Sequence, residues 1–186
     1  IRPVAESYKL PPSLLQDDRM NEDLPFGSRG GMAIRQVFPV DGDYELRLKL
    51  QRNSINLAYA IRGLDEENAI DVHIDGERVQ RFVMPAKGAR GQGVGTGTAD
   101  LSANEREQGL KVRVPVQAGV RTVAVSFPRR HWYVEGVGVG RLPAASDAFN
   151  SGTVSDEQFG KIEMGIDTLE ITGPFNGKTP AGTLSR

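Results

Sequence analysis

From Tyr44 to Gln51 the chain alternates without interruption, with Tyr44, Leu46, Leu48 and Leu50 on one side and Glu45, Arg47, Lys49 and Gln51 on the other. Successive side chains of a strand point to opposite faces, so this spacing predicts a half-buried strand with one face in a core. The same period runs through two later segments. Val112, Val114 and Val116 form an inward set facing Val123, Val125 and Phe127, while Lys111, Arg113, Thr122 and Ser126 point outward. Further strands are predicted around Ile34 to Phe38, at Ile70 to Ile74, at Arg78 to Met84, and at Ile166 to Thr172, where Leu169 and Ile171 share a face with Asp167.

Turn chemistry separates these runs. Asp41-Gly42, Asp75-Gly76 and Ala118-Gly119 each lie between two extended segments. Aspartate and glycine tolerate the positive φ of tight strand reversals, so all three are read as hairpins. Helix is scarce: only Ser102 to Gln108 carries a start and a stop, with Ser102 and Glu105 at capping-box spacing and Gly109 after them. Asn53 to Leu64 fits a short helix or a strand and loop equally. Gly88 to Gly97, with five glycines in ten residues, and Arg141 to Gly160, rich in small and polar residues, read as long loops. Many short strands punctuated by glycine and proline predict an all-β fold, a two-sheet antiparallel β-sandwich of jelly-roll type. One sandwich domain is expected over 1–172, with an irregular segment at 1–31. The end of the chain, GPFNGKTPAGTLSR over 173–186, has the composition of a linker.

A length of 186 residues suits one core. Lysine and arginine number 23 against 24 acidic residues, a net charge of -1, which disfavours nucleic acid and gives no global attraction to anionic membrane. No cysteine is present, so the chain holds no disulfide, no thiolate metal site and no covalently attached haem of its own. No apolar run approaches the ~20 residues that span a bilayer. The chain begins at Ile1, without an initiator methionine or a leader, as expected of a trimmed, processed or excised polypeptide.

The acidic, irregular stretch before the first strong strand is distinctive. Asp17, Asp18, Glu22 and Asp23 crowd with Arg19 and Arg29 around Pro25, Phe26 and Gly27, within LPPSLLQDDRMNEDLPFGSRGGMAIRQVFPVDGDY. This phrase, continued by DVHIDGERV, VRVPVQAGVRTVAVSF and ITGPFNGKTP, resembles the segment preceding the haem-bearing modules of planctomycete-type multidomain cytochrome c proteins, runs of domains of unknown function. The resemblance covers nearly the whole chain. It implies a β-sandwich similar to a carbohydrate-binding module, export to the periplasm or cell surface, and haem only in a partner chain or neighbouring domain.

Three groups of residues are candidates for contact with a ligand or partner. Arg129, Arg130, His131, Trp132 and Tyr133 follow a strong strand and include the single tryptophan. An aromatic face beside cationic donors could stack on a sugar ring or dock a protein, or the aromatics could cap one end of the core. Asp17, Asp18, Arg19, Glu22, Asp23 and Arg29 supply charge for a partner surface or pair among themselves. Calcium is a candidate metal: the chain offers Asp17, Asp18, Glu22, Asp23, Asp41, Asp43 and Asp167, of which Asp41, Asp43 and Asp167 are the expected ligands, the last because carbohydrate-binding sandwiches often place an acidic residue there, although calcium needs six to eight converging oxygens. Ion pairing and turn capping account for such carboxylates equally. The glycine-rich loop lacks both the Walker lysine and the third glycine of a dinucleotide fingerprint. The two histidines, His73 and His131, have no nucleophile or acid at motif spacing, and His73, between Val72 and Ile74, is expected to point outward. The chain is therefore expected to be non-catalytic, without an intrinsic cofactor. Two roles remain: a module that binds a polysaccharide, or an accessory subunit docked on a c-type cytochrome or a membrane-bound electron-transfer complex.

Overall fold

A computed structural model describes residues 2–12, 14–52, 61–64, 66–86, 103–130 and 163–178. In chain order these form β1 (Val4–Lys9), β2 (Ser28–Phe38), β3 (Asp41–Leu50), β4 (Asn68–Ile74), β5 (Glu77–Met84), α1 (Ala103–Gln108), β6 (Lys111–Val116), β7 (Gly119–Pro128) and β8 (Ile166–Lys178). The strands make two antiparallel four-stranded sheets, ordered β1-β8-β3-β6 and β2-β7-β4-β5. Apart from β4 and β5, consecutive strands lie in opposite sheets, in the manner of a jelly roll, as the strand pattern predicts.

The core lies between the sheets where the alternation places it. Tyr44, Leu46, Leu48 and Leu50 from β3 meet Ile70 and Val72 from β4, Val123, Val125 and Phe127 from β7, and Leu169 and Ile171 from β8. Phe38 stands edge-on to Tyr44, with ring centroids 4.6 Å apart. The Tyr44 hydroxyl, buried with its ring, donates to the Val40 carbonyl at 2.9 Å. That bond satisfies a group that burial would otherwise leave without water.

One of the three expected hairpins forms within a sheet. β4 and β5 pair directly around Asp75 and Gly76, at φ 50° and 83°. The other two turns are arches between the sheets: β2 pairs with β7, while β3 lies in the opposite sheet between β8 and β6. The two arches are tied together, since Asp41 Oδ1 accepts the Ala118 N–H at 2.7 Å. A reversal within a sheet and a crossing between sheets use the same turn residues, so local chemistry did not separate them.

The chain ends also carry more structure than their composition indicates. β1 and the start of β2 fall inside the expected irregular segment, and β8 continues to Lys178, through the first residues of the expected linker. Gly173 is a packing residue there: an added Cβ would lie 2.4 Å from the Tyr44 ring. Pro174 is buried, and Phe175 pairs with Asp43 in the β3–β8 ladder. Helix α1 forms where the capping pattern places it, Ser102 itself lying outside the described residues along with 53–60, 87–102 and 131–162.

Candidate functional site

The acidic segment is first of all a docked strap. Gln16, 2% exposed, reaches both sheets: its Oε1 accepts the N–H groups of Gly31 at 2.8 Å and Ile166 at 2.9 Å, and its Nε2 donates to the Ile166 carbonyl at 2.7 Å. Arg29, expected at a partner surface, is 3% exposed and turned inward. Its Nη1 donates to the carbonyls of Met164 at 2.8 Å and Gln16 at 3.3 Å; its Nη2 lies 2.8 Å from Glu163 and 3.2 Å from Asn68 Oδ1. The guanidinium also sits over the Phe127 ring, 4.6 Å from its centroid. Burial pulls the Arg29 pKa below its ordinary value and Glu163 opposes that shift. A docking role for Arg29 is thus ruled out by its place in the core.

The other members of that segment remain outside. Asp17, Glu22 and Asp23 are exposed, Asp18 pairs with Arg129 at 2.6 Å, and Arg19 Nε donates to the Leu24 carbonyl at 2.8 Å. Arg19 also lies 4.4 Å from the centroid of Phe26, a ring that is 91% exposed. Of the second candidate group, Arg129 is thereby occupied by the strap, and Arg130 contacts Glu66 at 3.0 Å, Asn68 Oδ1 at 3.1 Å and Glu163 at 3.5 Å. His131, Trp132 and Tyr133 lie outside the described residues.

The three candidate calcium carboxylates do not converge. Asp41 pairs with Lys178 at one end of the β3–β8 ladder, whereas Asp167 lies beside Ile166, the partner of Leu50, at the other. Asp41 is held by the Ala118 N–H, and Asp167 Oδ2 accepts from the Thr168 hydroxyl at 2.7 Å. Among the described residues no group of three or more histidine, cysteine or acidic side chains could hold a metal ion.

The outer face of β2-β7-β4-β5 carries largely buried side chains on its central strands and arginines on the edge strand β5. Val72 and Val125 face the core, so their neighbours His73, Asp71, Ala124 and Ser126 face outward. Across this face one row runs Ala33, Ala124, His73 and Arg78; the next continues through Ser126, Asp71 and Arg81. Ala124, Ser126, Asp71 and His73 on the central strands are buried, whereas Arg78 and Arg81 on β5 are exposed. Asp71, 7% exposed, accepts a two-pronged contact from Arg81 at 2.6 and 2.7 Å, with Arg78 3.9 Å away.

His73 is the unusual member of this face. It points outward, as its position between Val72 and Ile74 implies, yet it is only 9% exposed, and its Nδ1 is buried without a hydrogen-bond partner. Burial lowers its pKa; Asp71 opposes the shift, and Arg78 and Arg81 add to it, so the ring is neutral at neutral pH. A neutral imidazole with an unsatisfied nitrogen has one hydrogen-bonding capacity that the fold leaves unused. The alternation of Asp71 and His73 with Ile70, Val72 and Ile74 marks them as outward, but their rows with Ala124 and Ser126 come from β7 lying beside β4, which no local pattern shows.

No family model and no curated relative matches the chain. Among solved structures, the native structure of a family 35 carbohydrate-binding module from Clostridium thermocellum is similar at a TM-score of 0.37 and 10% sequence identity, over 92% of this chain and 98% of that one.

Proposed function

We propose that this domain is a non-catalytic binding module that holds a polysaccharide along the outer face of β2-β7-β4-β5, as part of an exported redox protein. The observation that supports the reading is the outward set of Ser126, Asp71 and His73, with its unpartnered nitrogen, beside the exposed Arg78 and Arg81. Sugars present rings of hydroxyls that both donate and accept, and short side chains beside fixed donors and acceptors suit them. Trp132 and Tyr133, which follow β7 in sequence and lie outside the described residues, are the aromatic candidates for stacking on the ring.

Affinity electrophoresis through gels containing neutral polysaccharides tests this reading, with Ala33→Trp to add bulk to the outer face of β2 and Arg78→Ala to remove a cation from that of β5. Both positions keep exposed surface. Each substitution is expected to weaken retardation by about tenfold, the scale of a central contact residue, with an unchanged melting temperature. Retardation that neither variant alters would remove this face as the site.

A second reading is favoured by Phe26. An exposed aromatic ring on a fixed loop, with Arg19 stacked on it, suits an anchor for a protein partner such as a c-type cytochrome or a membrane-bound redox complex. Exposed Asp17, Glu22 and Asp23 would orient that partner. Phe26→Ala is expected to abolish co-purification with such a complex and to leave thermal stability unchanged; persistence of the complex would sink the docking role.

A further inference from the structure

The outer face of the other sheet, β1-β8-β3-β6, differs in charge from the rest of the chain. Lys9, Arg47, Lys49, Lys111 and Arg113 project from it, against the carboxylates of Asp43, Glu45 and Glu170. The whole chain has 23 basic and 24 acidic residues, so this excess is local. Arg47, Lys49 and Arg113 are each 48% exposed in their side chains, and Lys9 and Lys111 are exposed.

The carboxylates do not balance the cations evenly. Glu45 is shared by Arg47 at 3.1 Å and Arg113 at 3.7 Å, and Glu170 is held by Lys49 at 2.8 Å. Arg47 and Lys111 stand directly opposite each other in the β3–β6 ladder. Like charges in such a pair repel, on strands only ~4.8 Å apart. Lys49, two residues from Arg47, extends this cationic strip along β3, and Lys9 carries it across the sheet, opposite Thr168. An anion lying along the strip would relieve the repulsion.

We propose that this face binds an acidic polysaccharide, one bearing uronate or sulfate groups, along the strip formed by Lys9, Lys49, Arg47 and Lys111. The choice of a glycan as the polyanion rests on reading the domain as a polysaccharide-binding module; the positive face itself does not depend on the outer face of the other sheet. Exposed ammonium groups on flexible stems suit repeated carboxylates or sulfates on an extended polymer, and such contacts weaken as salt rises.

The test is affinity electrophoresis of the whole chain in gels containing polygalacturonate, beside neutral xylan, duplex DNA and vesicles with about 30% phosphatidylserine. Retardation by polygalacturonate is expected, lost as NaCl rises from about 0.05 to about 0.5 M. The triple variant Arg47→Gln, Lys49→Gln, Lys111→Gln should weaken it by about tenfold without moving the melting temperature. Glu170→Gln, which frees Lys49, should strengthen it. Absence of retardation, indifference to the triple variant, or equal capture by DNA or by the vesicles would overturn the proposal. Ala33→Trp, on the outer face of the opposite sheet, should leave polygalacturonate binding intact, so failure of either surface can be told from failure of the other.

Discussion

Gly31→Ala is expected to prevent folding outright. Gly31 lies in the β-bulge of β2, where the register against β7 shifts between Arg29 and Met32. Its φ of 82° falls in the left-handed region, and an added Cβ would stand 1.8 Å from the Val125 carbonyl oxygen and 2.9 Å from Ser126 Cα. The obstacle is backbone of a central strand, not the end of a flexible side chain, so relief requires β2 to separate from β7. The left-handed conformation alone costs about 1–2 kcal/mol for a residue with a Cβ, and the collision adds several more. A domain of this size is stable by roughly 5–15 kcal/mol, so the sum removes most of it. Gly76→Ala is the control: its φ of 83° is nearly the same, but no atom lies within 4 Å of the added Cβ. Urea unfolding followed by circular dichroism should show a loss of about 1 kcal/mol for Gly76→Ala and no cooperative transition for Gly31→Ala. A Gly31→Ala protein that melts within a few degrees of the parent would refute this account of the bulge.

The contrast between these two glycines shows where the sequence was readable. Asp75-Gly76 sits between two alternating runs, and its turn could be read because everything the turn needs is local. Gly31 is required by the Val125 carbonyl, more than ninety positions away, and nothing near Gly31 announces that. The same division holds for the strands. Tyr44 to Leu50 and Val112 to Phe127 sort correctly into inward and outward faces because the period of a strand is local. Whether β3 follows β2 within a sheet or crosses to the other is set by how the two layers close, and there the hairpin reading failed at two of its three turns. The candidate surfaces follow suit. His73 was legible as outward, but its burial and its row with Ala124 and Arg78 are properties of strand order. The charged segment before β2 was legible as unusual, yet charge alone could not show that Arg29 faces inward while Asp18 and Phe26 face outward.

Arg29→Met should therefore act as a core substitution and leave partner binding to other residues. Methionine fills much of the same space, but it donates to neither the Met164 nor the Gln16 carbonyl and leaves Asn68 Oδ1 with one donor fewer. Glu163, whose side chain is 26% exposed, loses its shortest ion pair and keeps Arg130 at 3.5 Å and access to water. Removing one partner of a buried pair typically costs about 3–5 kcal/mol, and that exposure of Glu163 sets the expectation at the lower end. Arg29→Lys should recover little, because an ammonium cannot lie flat on Phe127 while reaching two carbonyls and a carboxylate. Arg29→Met combined with Glu163→Gln should be more stable than the sum of the two single changes, since no unpaired carboxylate then remains. The strap from Gln16 to Phe26 is tied to Met164, just before β8, partly through this arginine, so limited proteolysis should cut within it faster in Arg29→Met than in the parent. An Arg29→Met protein with parental stability and protease resistance, but defective in capturing a partner, would return Arg29 to a docking surface and contradict its burial.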